Sequence, residues 1–126
     1  MKKLLILLFS IVISFNSYGE WKYITSNTLG DDYYVDYSFI KERNGYLYLW
    51  NLTNYLEPTS TGRLSVKKYI KTDCNTSKTK ILTYIFYDEP MGGGNGDADS
   101  SDNPVKYPDP ESVLGVLLQK VCDNVK

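Results

Sequence analysis

From Trp21 onward, apolar and aromatic residues alternate with polar ones in short runs, separated by clusters of Gly, Pro, Asn, Asp, Ser and Thr. A period of two marks strands whose side chains alternate between sheet faces. Five strands are predicted: Trp21–Thr25, Tyr33–Lys41, Tyr46–Leu56, Arg63–Cys74 and Lys80–Asp88. Gly30, Asn44-Gly45, Pro58 through Gly62, and Asn75 through Lys78 mark the turns between them. Connections this short favour an antiparallel meander over βαβ units.

Parity assigns the faces. In the fourth run Leu64, Val66, Ile70 and Cys74 share one face, and Ser65, Lys67, Tyr69 and Lys71 the other. In the fifth, Ile81, Ile85 and Tyr87 stand opposite Leu82, Tyr84 and Phe86, so both faces are apolar. Tyr46–Leu56 is also apolar on both sides, as expected of a strand central in a sheet or in an oligomer interface.

After Asp88 the period is lost. Glu89–Pro108 holds the run Gly92-Gly93-Gly94-Asn95-Gly96 and the acids Asp97, Asp99 and Asp102, and it reads as a flexible solvated loop. A helical period follows. Asp109 fits an N-cap with Pro110 in the first helical position, and Leu114, Leu117, Leu118, Val121, Cys122 and Val125 fall on one helical face. A helix this short is marginal alone, so it must dock. The expected fold is α+β: an antiparallel meander of five to six strands with a C-terminal α-helix docked on one face and tied to a strand by a disulfide.

Ahead of this domain, Lys2 and Lys3 precede the apolar run Leu4–Ile13, and Ser17 and Gly19 sit at the −3 and −1 positions of a cleavage site before Glu20. Residues 1–19 are read as a signal peptide and 20–126 as the mature domain. The apolar run is well short of the roughly 20 residues a membrane span needs, so no stable membrane insertion is expected after cleavage. No cysteine lies near the cleavage site to carry a lipid, and the expected location is periplasmic or secreted.

Export changes the meaning of the two cysteines. In an oxidising compartment paired thiols persist as disulfides. Cys74 is placed with an inward strand face and Cys122 on the docking stripe of the helix, so a Cys74–Cys122 bridge is expected. Closing the chain between them contributes roughly 4 kcal/mol in the chain-entropy account.

Composition mainly excludes. Without Lys2 and Lys3, the 14 basic residues fall to 12 against 15 acidic ones, a net charge of −3. That balance argues against nucleic acid or an anionic membrane as partner. The chain has no histidine, which removes His-based triads, His-ligated zinc and the usual neutral-pH general base. The acids Asp31-Asp32, Asp73 and Asp88-Glu89 flank turns, where solvation and local hydrogen bonding explain them. The segment from Gly92 to Asp102 lacks the Gly-Lys-Ser/Thr of a phosphate loop. Asp97, Asp99 and Asp102 are hard oxygen ligands, but their spacing matches neither an EF-hand nor a repeat-type calcium motif. No catalytic residue, metal or cofactor is expected. The acceptor sequences at Asn51 and Asn75 carry no weight, because such matches are frequent by chance.

The aromatic load is the positive signal. Twelve tyrosines and two tryptophans exceed what a small core requires, and such rings suit interfaces because they bury area while keeping a polar tip. Tyr46, Tyr48, Trp50, Tyr69 and Tyr84 are the candidate partner-binding residues. The competing explanation is cross-strand ring pairing on a half-wet sheet face.

The ordered residues also carry a family resemblance. Trp21 is followed by Tyr33-Tyr34-Val35-Asp36, Ile40-Lys41, Tyr48-Leu49-Trp50-Asn51-Leu52 and Ser65-Val66-Lys67. Asp73-Cys74, Tyr87, Met91-Gly92, Pro110 with Ser112, and Val121-Cys122 complete the series. Across nearly the whole mature chain this resembles the bacterial surface-adhesin protein E-like family. The resemblance implies a small antiparallel sheet with a disulfide-held C-terminal helix, a host-matrix-binding role and a capacity to dimerise. The expected function is an exported, non-enzymatic, adhesin-like module that engages a protein partner through an aromatic sheet face or the loop Glu89–Pro108. The alternative is a periplasmic carrier holding a small apolar ligand between sheet and helix. A homodimer through an exposed strand edge fits either.

Overall fold

The structure, a computed structural model, describes residues 20–125. The predicted signal peptide, residues 1–19, lies outside the described residues. Seven strands form one antiparallel sheet: β1 (Trp21–Ser26), β2 (Asp32–Asp36), β3 (Lys41–Arg43), β4 (Tyr46–Asn54), β5 (Ser65–Thr72), β6 (Thr79–Tyr87) and β7 (Gly96–Asp99). Their order is β1-β2-β4-β5-β6-β7, with β3 also paired to β4. One helix, α1 (Val113–Asn124), lies against the sheet.

The meander and the docked helix are as expected; the corrections are local. The predicted strand Tyr33–Lys41 is broken in two. Asp36 is buried and its carboxylate accepts from the Ser38 backbone N–H at 3.0 Å, closing a 3-10 turn over Tyr37–Phe39. That Asx-type bond offers the backbone an alternative to the ladder. β2 therefore pairs with the far half of β4, Asp32 through Val35 against Asn54 through Asn51, and β3 with the near half, Lys41 against Tyr48.

Two bulges set the faces. Ile70 pairs with Ile81 while Tyr69 pairs with Thr83, so Leu82 is an extra residue in β6. The expected parity of the fifth strand is thereby overturned: Ile81 shares its face with Tyr84 and Phe86, and Ile85 and Tyr87 face the other way. The second bulge leaves Ile24 unpaired in β1. Its side chain turns into the core, and its carbonyl accepts from Lys120 Nζ at 3.1 Å, which ties α1 to the edge strand.

The core lies between α1 and one sheet face. Leu117, Leu118, Val121 and Cys122 pack against Ile24, Val35, Leu47, Leu49, Ile70 and Ile81. Asn51 is buried on the same face, with its amide donating to the Tyr34 carbonyl at 2.9 Å, so that acceptor sequence is internal. Thr72 and Thr79 pair across β5–β6 with hydroxyls 2.7 Å apart.

The disulfide joins Cys74 to Cys122 with Cα atoms 5.7 Å apart. Its setting differs from expectation. The ladder ends at Thr72, and Asp73 opens the β5–β6 turn by accepting the Asn75 N–H at 2.8 Å. Strand alternation therefore does not reach Cys74, which is exposed in the turn, and the bridge runs from turn to helix.

The helix starts later than predicted. Ser112 is the N-cap, its hydroxyl accepting the Gly115 N–H at 3.0 Å. Asp109 instead accepts the Glu111 N–H at 2.8 Å in a turn that Pro110 occupies. Val125, predicted on the apolar stripe, follows the helix and is 44% exposed.

The expected loop Glu89–Pro108 is partly ordered into a strand. β7 pairs with β6, Gly96 against Tyr87 and Asp99 against Tyr84. A Cβ on Gly96 would stand 2.8 Å from Ile85 Cγ2, so the glycine permits this close approach.

Candidate functional site: the open face of the sheet

The helix covers one face and leaves the other to solvent. Because Leu47, Leu49 and Asn51 point to the core, alternation turns Tyr46, Tyr48 and Trp50 of β4 outward, while Leu52 on the same side is buried near Gly92. Tyr69 of β5 sits directly opposite Trp50, and Lys71 opposite Tyr48. The rings form a row: Trp50 and Tyr69 lie 4.8 Å apart by centroid, and Tyr69 and Tyr48 6.0 Å. All four predicted tyrosine and tryptophan positions on β4 and β5 are thus brought together.

Tyr84, the fifth predicted residue, lies elsewhere. It pairs with Lys68 on the helix-side face, beyond the Leu82 bulge. There Lys68 lies 6.0 Å from the rings of Tyr33 and Tyr84. Burial, with a smaller contribution from Lys106, lowers the Lys68 ammonium below its usual range. Burial likewise raises Tyr33, Tyr55 and Tyr84 above the ordinary phenol value.

Several cations stand among the rings of the open face. Lys71 Nζ stands 4.2 Å from the Tyr46 centroid, and the Arg43 guanidinium 6.0 Å from Tyr48. Lys67 Nζ lies between two rings, 5.6 Å from Trp21 and 5.2 Å from Tyr87. Among the described residues the ion pairs are Arg63–Asp97 and Lys80–Asp102, so Lys41, Arg43, Lys67 and Lys71 have no carboxylate partner. A chain that is acidic overall therefore presents a basic, aromatic surface on one side.

At one end of this face the segment Pro90–Gly92 folds over the strands. The Met91 N–H donates to Asn54 Oδ1 at 2.8 Å and the Gly92 N–H to Ser65 Oγ at 2.9 Å, while Ser65 Oγ donates to the Glu89 carbonyl at 2.7 Å. Gly92 has φ +72°, and a Cβ there would stand 2.8 Å from Lys67 Cε, so the glycine lets the lysine pass beneath it. The result is a groove of about 400 Å³ with Trp21, Trp50 and Tyr87 as aromatic walls, Met91 and Phe39 at its margins, and Lys67 and Asp36 as its charged groups. Of these, only Trp50 was singled out as a site residue from sequence. Lys67 was legible as an outward cation opposite Val66, but its capture by two rings depends on tertiary packing.

The acids of the former loop are engaged one by one. Asp97 pairs with Arg63 at 2.8 Å, Asp102 with Lys80 at 2.8 Å, and Asp99 accepts the Ser101 N–H at 2.9 Å. Among the described residues no group of three or more His, Cys, Asp or Glu could hold a metal ion.

The architecture is a single antiparallel sheet with a disulfide-anchored helix on one face and an aromatic, cationic surface on the other. The profile of the family described as surface-adhesin protein E matches residues 21–123, and the chain belongs to that family. Among solved structures, crystal form II of Haemophilus influenzae protein E is similar, with a TM-score of 0.63 and 24% sequence identity over 81% of this chain and 87% of that chain. At that identity the likeness concerns the fold. No curated protein sequence matches the chain significantly. Family membership supports a surface-adhesin-like role.

Proposed function

We infer that this chain is an exported, non-enzymatic binding module of the bacterial envelope that engages a protein partner through the open face of its sheet. The observation that carries this reading is the row Tyr46, Tyr48, Trp50 and Tyr69 on the face that α1 leaves uncovered. Rings held side by side on strands offer large contact area at low entropic cost. The disulfide suits an oxidising compartment, in keeping with a signal peptide over residues 1–19 and a mature start at Glu20. Among the described residues no helix is long and apolar enough to cross a membrane. A periplasmic or secreted location fits these features, and the β1 edge offers a route to a homodimer.

A carrier holding its ligand between sheet and helix is the less favoured reading. The void beside the helix, next to Cys74 and Cys122, is about 50 Å³, far below the roughly 300 Å³ that small-molecule sites begin at. The test is a pull-down with the exported protein against envelope and extracellular extracts, run beside a Tyr48→Ala/Tyr69→Ala variant. A protein captured by the wild type and lost with the variant is the expected result. Capture that is indifferent to the variant would remove the open face from the function.

A further inference from the structure

The groove under Pro90–Gly92 continues the aromatic row and differs from it in kind. It is a concavity, and its volume of about 400 Å³ lies within the range of side-chain and small-ligand sites. It also holds a cation with no carboxylate partner among the described residues. The ammonium of Lys67 is drawn toward Trp21 and Tyr87 by their ring quadrupoles, which position the charge and leave it unneutralised. The other charged group, Asp36, is 2% exposed, and Ser38 donates to its Oδ1 from both backbone and hydroxyl. Its carboxylate is occupied in shaping the 3-10 turn that sets Phe39 at the margin. Lys67 is thus the group left to recruit a ligand charge.

We propose that this groove docks an extended acidic segment of a protein partner, seating an aromatic or aliphatic side chain between Trp21, Trp50 and Tyr87 and placing an adjacent carboxylate on Lys67. The inference rests on the binding-module reading above and assigns that module's partner chemistry. Charge complementarity carries it along the face. From the groove the row of rings leads to Lys71 over Tyr46 and Arg43 over Tyr48, so further acids of the same segment meet further unpaired cations. The rest of the lining favours a peptide. Ile85, Met91 and Phe39 are dispersive surfaces suited to an apolar side chain and offer no side-chain hydrogen bonds to sugar hydroxyls. Nucleic acid would ask for a denser series of cations along its backbone than these strands supply.

The test is an array of end-capped octapeptides probed with the mature protein, followed by titration of retained sequences against Trp fluorescence. Retained peptides should be enriched in Asp or Glu beside Phe, Trp or Leu. Replacing their acids by Asn or Gln, or using Lys67→Met, which keeps the apolar stem, should weaken binding about tenfold or more. Phe39→Ala, at a margin residue 54% exposed, should weaken it with the melting temperature unchanged. Retention of neutral or basic peptides, retention of none, or tighter binding of a sulfated polysaccharide or an oligonucleotide that Lys67→Met abolishes would overturn the proposal. A protein captured in the pull-down that is lost with Tyr48→Ala/Tyr69→Ala yet kept by Lys67→Met would refute the groove and leave the binding module standing.

Discussion

Trp50 and Tyr69 face each other across the β4–β5 ladder with ring centroids 4.8 Å apart and planes inclined by 30°. Aromatic pairs in contact contribute beyond their buried area, by about 0.5–1.5 kcal/mol in coupling measurements. The pair therefore stabilises the sheet as well as forming the proposed contact surface. A double-mutant cycle with Trp50→Ala and Tyr69→Ala, followed by urea unfolding, should return a coupling in that range. Strict additivity would show that the rings are neighbours without a specific interaction.

Removal of the Cys74–Cys122 bridge should cost roughly 2–4 kcal/mol, read as a melting temperature lower by about ten degrees or more. The bridge closes the chain from the β5–β6 turn to the helix that supplies Leu117, Leu118 and Val121 to the core. Either reduction or a Cys74→Ser/Cys122→Ser variant serves. An unchanged melting temperature would show that packing alone holds α1 in place.

Mass spectrometry of the exported protein should show Glu20 as its first residue. An intact Met1 in that material would refute the signal peptide and, with it, the compartment argument for the disulfide.

Tyr46–Leu56 is legible as a central strand because both its faces are apolar or aromatic, but which face the helix buries, that of Leu47 and Leu49, is not. The helix stripe was readable because its apolar residues fall on one face. Bulges were not: nothing about Leu82 distinguishes it from a residue in register, so Tyr84 was grouped with rings that lie on the opposite face. β7 was missed because Gly96-Asp97-Ala98-Asp99 has no strand propensity; it pairs because β6 offers an edge and Gly96 fits against Ile85 and Tyr87. The groove depends on the fold of Pro90–Gly92 over Lys67, a long-range contact with no local pattern.

Gly115 lies in the first turn of α1, where helix propensity alone predicts that Gly→Ala stabilises by about 1 kcal/mol. Packing predicts the reverse. A Cβ at Gly115 would stand 2.0 Å from the Asp109 carbonyl oxygen and 3.0 Å from the Pro110 Cα. Both are backbone atoms of the turn that enters the helix, so relief requires moving that turn. Gly115→Ala should destabilise by about 1–3 kcal/mol in urea unfolding. A gain in stability would show that the entry turn yields easily and that the close approach is incidental.

Stability depends on pH through Lys68. Burial lowers its folded-state value, so the unfolded chain binds more protons between that value and the ordinary lysine range. Stability therefore rises with pH in that window, as the cost of burying the ammonium is relieved. Tyr33, Tyr55 and Tyr84 act oppositely: their folded values are raised, so above about pH 10 the unfolded chain loses protons first and stability falls. Lys68→Met should remove the rising limb and keep the alkaline fall. At pH 7 it should leave stability equal or raised, because an apolar side chain replaces a partly buried charge, against which the two ring contacts at 6.0 Å weigh about 1 kcal/mol. Urea titrations of both proteins between pH 7 and pH 11 decide it. A loss at pH 7 well above 1 kcal/mol would mean that the Tyr33 and Tyr84 rings outweigh desolvation, and that Lys68 is a stabilising cation in its aromatic setting.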